Sequence, residues 1–230
     1  WALLPPDQSL ITARLVSEKA TIEERLIDYT HRFSETAKRF SNAPITCLAA
    51  ACTGASYLIG AAHEAEIVKE MQVRFGVPFL TAALSTVSAL RATNAKRIAL
   101  LSPYPDSLNE YCLPYWESFD FEVVSLAGPR LENTAFHPIY AMEESGVVAS
   151  YRELSETDAD TVLMLGTGMA TLGAILIGLD EGLRPAISCN LALPWSVAQS
   201  EQIEKLDQNT FETWGKTTNW IRLYTFLRGL

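Results

Sequence analysis

Few residues in this sequence are placed to do chemistry, and Cys52 is the first of them. It opens the run Cys52-Thr53-Gly54-Ala55-Ser56, where a strand-like apolar stretch gives way to an Ala/Leu/Ile-rich segment with helical spacing. A thiol at the start of a helix faces free backbone N–H groups and the positive end of the helix dipole. These together lower its pKa and make an anion site. From position alone Cys52 is either a reactive thiol or a small buried hydrophobe, since free cysteines are commonly interior. Three further turns follow strand-like runs: Ser102-Pro103-Tyr104, Gly166-Thr167-Gly168-Met169 and Ser188-Cys189-Asn190. Tyr104 offers a hydroxyl to a carboxylate or simply packs. Cys47 lies mid-strand and Cys112 on a helix, and both read as core. The four cysteines include no CxxC pair and have no histidine at ligand spacing, so neither a metal site nor a disulfide framework is expected. His31, His63 and His137 have no Ser or Cys relay around them and read as structural or surface residues. Neither GxGxxG nor GxxxxGK[ST] occurs, which leaves nucleotide binding without support.

The elements that position these turns can be read from charge and periodicity. Residues 43–62 and 161–179 carry no charge over 20 and 19 residues, close to the ~20 that a bilayer helix needs. Each block nevertheless opens with a strand-like run, meets a Thr-Gly step and only then turns helical. A strand buried on both faces of a parallel sheet must be continuously apolar, so both blocks read as strand, tight turn and helix. Four strands are predicted in the second half, at 97–101, 121–126, 161–165 and 184–188. The first half offers 9–15, 44–50 and 77–81, matching the second, third and fourth of these in order and character. The first two second-half strands start 24 residues apart, at 97 and 121, so the unmatched counterpart belongs about 15 residues before Trp1. Between strands, Thr21-Ile22-Glu23-Glu24 forms a capping box, followed by Ile22, Leu26, Tyr29, Phe33, Ala37 and Phe40 at helical spacing.

Strands alternating with helices give an α/β protein of two pseudo-symmetric parallel-sheet halves. Residues 1–92 make the first half and 93–195 the second. A helical segment, 196–230, packs back on the first half, with Ile203, Leu206, Phe211, Trp214 and Trp220 as buried positions. Ligands of parallel sheets bind outside the carboxyl ends of the strands, which places an active site between the halves. With 18 Lys+Arg against 27 Asp+Glu, a net charge of −9 and no basic cluster, a nucleic-acid or anionic-membrane surface has no electrostatic footprint. Small molecules are the expected partners, a homo-oligomer stays open, and unpaired cysteines without a signal peptide suit a reducing cytoplasm.

The CTGAS turn, SPY followed by DSLNEY, and PAISCNLALPW near the end together resemble the aspartate/glutamate racemase superfamily. Within it, they are similar to the maleate cis-trans isomerase and arylmalonate decarboxylase branch. The resemblance runs from about Ser9 to the terminal helix and implies a cofactor-independent enzyme acting on a small carboxylate or dicarboxylate. It also implies a leading strand ending in a Pro-Ser-Ser-Asn type loop. By motif, Cys52 matches the first-half catalytic cysteine, Thr53 and Gly54 the carboxylate-binding turn, Tyr104 the tyrosine, and Thr167 and Gly168 the second-half turn. Gly166 in that turn and Asn190 at the matching strand end are further expected substrate-binding positions. Racemases and maleate isomerases carry a second cysteine where this chain has Gly166. Cys189, ending the adjacent strand, is the candidate substitute. Arylmalonate decarboxylases use one cysteine in the second-half turn, with glycine in the first, and this chain has the reverse. The resemblance therefore implies an isomerase first and a decarboxylase of opposite stereochemical outcome second. A binding protein that kept the carboxylate cradle without catalysis is the third reading.

Overall fold

The computed structural model describes residues 3–4, 7–129, 139 and 142–200. Its second half is built on four parallel strands, β3 (Arg97–Leu101), β4 (Glu122–Ala127), β5 (Thr161–Met164) and β6 (Ala186–Ser188), in the order β4-β3-β5-β6. Leu101 lies opposite Met164, and Met164 opposite Ser188, so the strand ends line up at one edge. Ile98, Ala99, Leu100 and Leu101 are fully buried, as are Val162 to Leu165. Helices cover both faces of these strands, which is why they are apolar without alternation. All four predicted second-half strands are present.

The first half holds a two-stranded parallel sheet, β1 (Leu48–Ala50) beside β2 (Phe79–Thr81). These lie within two of the three runs predicted there. The third, Ser9–Leu15, is corrected: it has no regular secondary structure, and Leu10 and Ile11 are 54% and 53% exposed. Its second-half counterpart β4 pairs only with β3. No counterpart of β3 stands beside β1 among the described residues, so a strand at 9–15 has no ladder to join and its peptide groups turn to water. The helix predicted from Ile22 onward is also divided. α1 (Ile22–His31) carries the capping box in full, with Glu24 N on Thr21 Oγ1 and Thr21 N on Glu24 Oε2, both 3.2 Å. α2 (Phe33–Ala37) then packs Phe33 and Ala37 against Leu48, Ala50, Met71 and Phe79.

Both charge-free blocks are strand, turn and helix. After β1 comes α3 (Thr53–Phe75), and after β5 comes α7 (Leu172–Glu181). Among the described residues no helix is long and apolar enough to cross a membrane. α3 is broken at Gly60, whose φ of 75° and ψ of 160° fall in a region that is essentially glycine's alone. α4 (Ala82–Ala92) and α8 (Cys189–Ala198) start directly at the ends of β2 and β6. Their caps repeat the same chemistry: Thr81 and Ser188 accept from Leu84 N and Leu191 N at 3.2 Å each. The two helices pack together and join the halves. α5 (Asp106–Glu117) lies along α3, and α6 (Glu144–Ser155) packs on α7. The segment 201–230, with the five apolar positions expected to be buried there, lies outside the described residues, as does His137.

Candidate active site

The turn after β1 puts Cys52 at the N-cap of α3, in extended conformation (φ −151°, ψ 102°). Its sulfur faces the amides of Gly54 and Ala55, which favour the thiolate, yet burial disfavours it more, and the thiol is held above its ordinary 9.0. The lowered pKa expected from the helix terminus is thus overturned. The reason lies in the surroundings, because Cys52 packs beside Leu26, Ala55 and Leu108 with Ile22, Tyr29, Leu58 and Tyr104 around the same cluster. An apolar wall costs a thiolate more than two amides return. α1 supplies Ile22, Leu26 and Tyr29 of this wall, and Ser107 Oγ fastens it by donating to Glu23 Oε1 at 2.8 Å.

Thr53 and Tyr104 meet directly, Oγ1 to Oη 2.8 Å, across the junction of the halves. Burial and the neighbouring Cys52 push the Tyr104 phenol well up, so it keeps its proton and can donate. Gly54 is needed by proximity, since a Cβ there would sit 3.0 Å from Leu26 Cδ1 and 3.3 Å from Leu108 Cδ2. The Pro103–Tyr104 turn is held by Ser102 and by Asn109, whose role within DSLNEY was not foreseen. Ser102 Oγ donates to Asn109 Oδ1 at 2.6 Å, Asn109 Nδ2 donates to the Tyr104 carbonyl at 3.0 Å, and Tyr104 N donates to Ser102 Oγ at 3.2 Å. The signal was its spacing: Asn109 shares a helix face with Cys112 and Trp116, where a polar side chain needs partners.

In the second half Gly166 has φ +78°. A Cβ there would lie 2.6 Å from Ile139 Cδ1, 2.7 Å from Pro103 Cγ and 3.4 Å from Tyr104 Oη. The place where a second-half side chain would start is therefore filled by the tyrosine turn. Thr167 donates through its side-chain Oγ1 to the Ala51 carbonyl at 2.7 Å. It latches the second-half turn onto the end of β1, while Gly168 beside it is exposed. Thr167→Val is expected to remove about 1 kcal/mol of stability. Calorimetry should read this as a Tm fall of about 2–4 °C. Asn190 props the same turn from below, its Nδ2 donating to the Met169 carbonyl at 2.9 Å.

Cys189 is brought beneath this junction, with Thr86 and Thr53 hydroxyls and the Gly166 backbone around its sulfur. It is fully buried, and burial pushes its thiol up to about 11. It lies next to the site, behind the Thr53 hydroxyl and the Gly166 backbone. Cys47 is half-buried and Cys112 buried, their thiols pushed up to about 11 and about 12 by desolvation. His31 and His63 are exposed. The junction thus joins one half-buried thiol, a Thr–Tyr hydroxyl pair and an apolar wall, which suits proton delivery to a carbon held beside a bound carboxylate.

Residues 12–211 match the model of the arylmalonate decarboxylase family. The fold is similar to that of arylmalonate decarboxylase itself, at 22% identity over 87% of this chain and 85% of that one, with a TM-score of 0.72. A liganded variant of that enzyme, with one glycine changed to cysteine and one cysteine to serine, gives 24% identity, the same coverage and a TM-score of 0.77. A cysteine-to-serine variant of Nocardia farcinica maleate cis-trans isomerase holding a covalently bound succinylcysteine intermediate gives 19% identity over 78% and 75% of the two chains, with a TM-score of 0.70. No curated protein matches the sequence.

Proposed function

The chain belongs to the arylmalonate decarboxylase family, and from that premise we propose that it decarboxylates a substituted malonate, with Cys52 as the single acid that protonates the product carbon. The observation that carries this reading is the filled space at Gly166, with Pro103 Cγ and Ile139 Cδ1 where a second thiol would begin. Racemisation needs an acid/base on each face of the carbon, and adding a thiol to an alkene needs a second group for the proton. Decarboxylation needs one proton on one face. This reverses the order expected from the sequence, in which an isomerase stood first.

In the proposed reaction the bond from the α-carbon to one carboxylate breaks and CO2 leaves. The electron pair stays on the remaining carboxylate as an enediolate, and the Cys52 S–H then delivers its proton to the α-carbon. The resulting thiolate faces the Gly54 and Ala55 amides until water reprotonates it. Tyr104 is assigned the enediolate oxygens, its hydroxyl held in place by Thr53 Oγ1 at 2.8 Å. The wall of Ile22, Leu26, Leu58 and Leu108 disfavours the departing carboxylate's charge, and departure as neutral CO2 relieves that cost. No cofactor enters the scheme, in keeping with the family resemblance.

A maleate isomerase reading keeps one observation in its favour, the cysteine in the first-half turn beside two amides. The two readings separate by NMR in heavy water with maleate and a substituted malonate. Release of CO2 supports the decarboxylase, fumarate the isomerase, and a raised Tm with neither product supports binding alone. The pH profile separates them by sign. A proton donor must be protonated, and burial holds the thiol above its ordinary value, so decarboxylation is expected to hold through neutral pH and fall only in the alkaline range. A nucleophilic thiolate would instead gain rate over that range.

A further inference from the structure

The helix that carries Cys52 is broken, and a buried acid bridges the break. Glu64 is 1% exposed and is the one buried carboxyl among the described residues. Its Oε1 accepts from Ser56 Oγ at 2.6 Å and its Oε2 from Tyr115 Oη at 2.6 Å. Ser56 and Glu64 are eight residues apart, which in an unbroken helix means about 12 Å of axial rise. The Gly60 backbone redirects the chain between them and makes the direct bond possible. Tyr115 belongs to α5, which begins immediately after the turn that bears Tyr104.

The opening piece of α3 and α5 are therefore held together twice. Thr53 and Tyr104, in the turn that leads into α5, meet at the site at 2.8 Å, and Ser56, Glu64 and Tyr115 join the helices themselves. Tyr57 fills the space between, its ring centroid 5.1 Å from that of Tyr115 and 6.1 Å from that of Tyr104. We propose that Glu64 is a positioning residue for the Cys52 turn, fixing the opening piece of α3 against α5 so that Thr53 and Tyr104 meet beside the thiol. Hydroxyl donors on both carboxyl oxygens suit this task, because each oxygen commits to a different element. A carboxyl that served only to satisfy a local hydroxyl would not span two helices and a backbone break.

The rate consequence rests on the reading of Cys52 as the acid, while the geometric consequence does not, so the test reads both. In the full chain, alkylation of Cys52 by iodoacetamide is measured by peptide mass with half-buried Cys47 as internal reference, alongside kcat and KM on a substituted malonate. Glu64→Ala should raise the Cys52 to Cys47 alkylation ratio several-fold and lower kcat by about 10²-fold with KM little changed, the scale of a small misplacement at a reacting centre. Glu64→Gln, which keeps an acceptor in place, should recover most of both. If Glu64→Ala does not fold, Tyr115→Phe removes one of the two bonds and should move both readouts the same way by less. An unchanged ratio in a folded variant overturns the proposal, as does equal acceleration of Cys47 and Cys52, which means general loosening. If the wild-type chain turns over no malonate, the function reading fails and the alkylation ratio still decides this one.

Discussion

Cys52→Ala is expected to lower decarboxylation by about 10²–10⁴-fold, the range that a positioned general acid supplies, while the protein stays folded. The stability cost should be small. Cys52 makes no side-chain cap hydrogen bond to α3, so alanine removes a half-buried sulfur and little else. Cys52→Ser tests the same role with the size kept. A serine hydroxyl is a far weaker acid than a thiol, so it too should be inactive as a proton donor even though it is a better N-cap. Calorimetry and turnover therefore move apart: Tm level or raised, rate lost. Cys189→Ala offers the contrast. Its sulfur is fully buried, and its removal should act through packing, lowering Tm with no comparable loss in the chemical step.

Gly166→Cys carries the second large effect, because it restores the two-cysteine pattern of racemases and maleate isomerases in a place that has no room for it. The backbone has φ +78°, and the new Cβ would start 2.6 Å from Ile139 Cδ1 and 2.7 Å from Pro103 Cγ. Left-handed backbone costs a side-chain-bearing residue about 1–2 kcal/mol, and overpacking adds about 1–3 kcal/mol. At about 2–4 °C per kcal/mol for a chain of this size, Tm should fall by roughly 10 °C. Relief of the clash must move Pro103, and with it Tyr104 and its contact to Thr53, so decarboxylation should fall and no racemase or isomerase activity should appear. Gly166→Ala should reproduce the stability loss without adding a thiol. A stable Gly166→Cys protein that interconverts enantiomers would show that the second-half turn can accept a thiol after all.

Local chemistry was readable from the sequence, and pairings across the chain were not. The continuous apolar runs 98–101 and 162–165 made the second-half sheet legible, because a strand covered on both faces leaves no other pattern. Cys52, Thr53 and Tyr104 were readable as strand-end residues, and 2.8 Å now joins the last two. Ser9–Leu15 failed because a strand's existence depends on its neighbour in the sheet and not on its own composition alone. The Thr167 hydroxyl bond was unreadable for a similar reason: its partner Ala51 is 116 residues away in sequence. The Cys52 pKa was misjudged because a helix terminus is visible in the sequence while the wall that α1 lays over it is not. Glu64 escaped notice altogether. Its partner Ser56 lies eight positions away, about 12 Å of rise along a regular helix, and only the Gly60 break brings the two together.

A thiol on one face of the bound carbon has a stereochemical signature. With an α-methyl-α-arylmalonate in heavy water, the product should carry one deuteron at the α-carbon and be a single enantiomer. Because Cys52 stands in the first-half turn, that enantiomer should be opposite to the one made by relatives with the thiol in the second. Chiral chromatography of the product reads this in one step. A racemic product would mean that solvent delivers the proton, and would contradict the assignment of Cys52 as the acid.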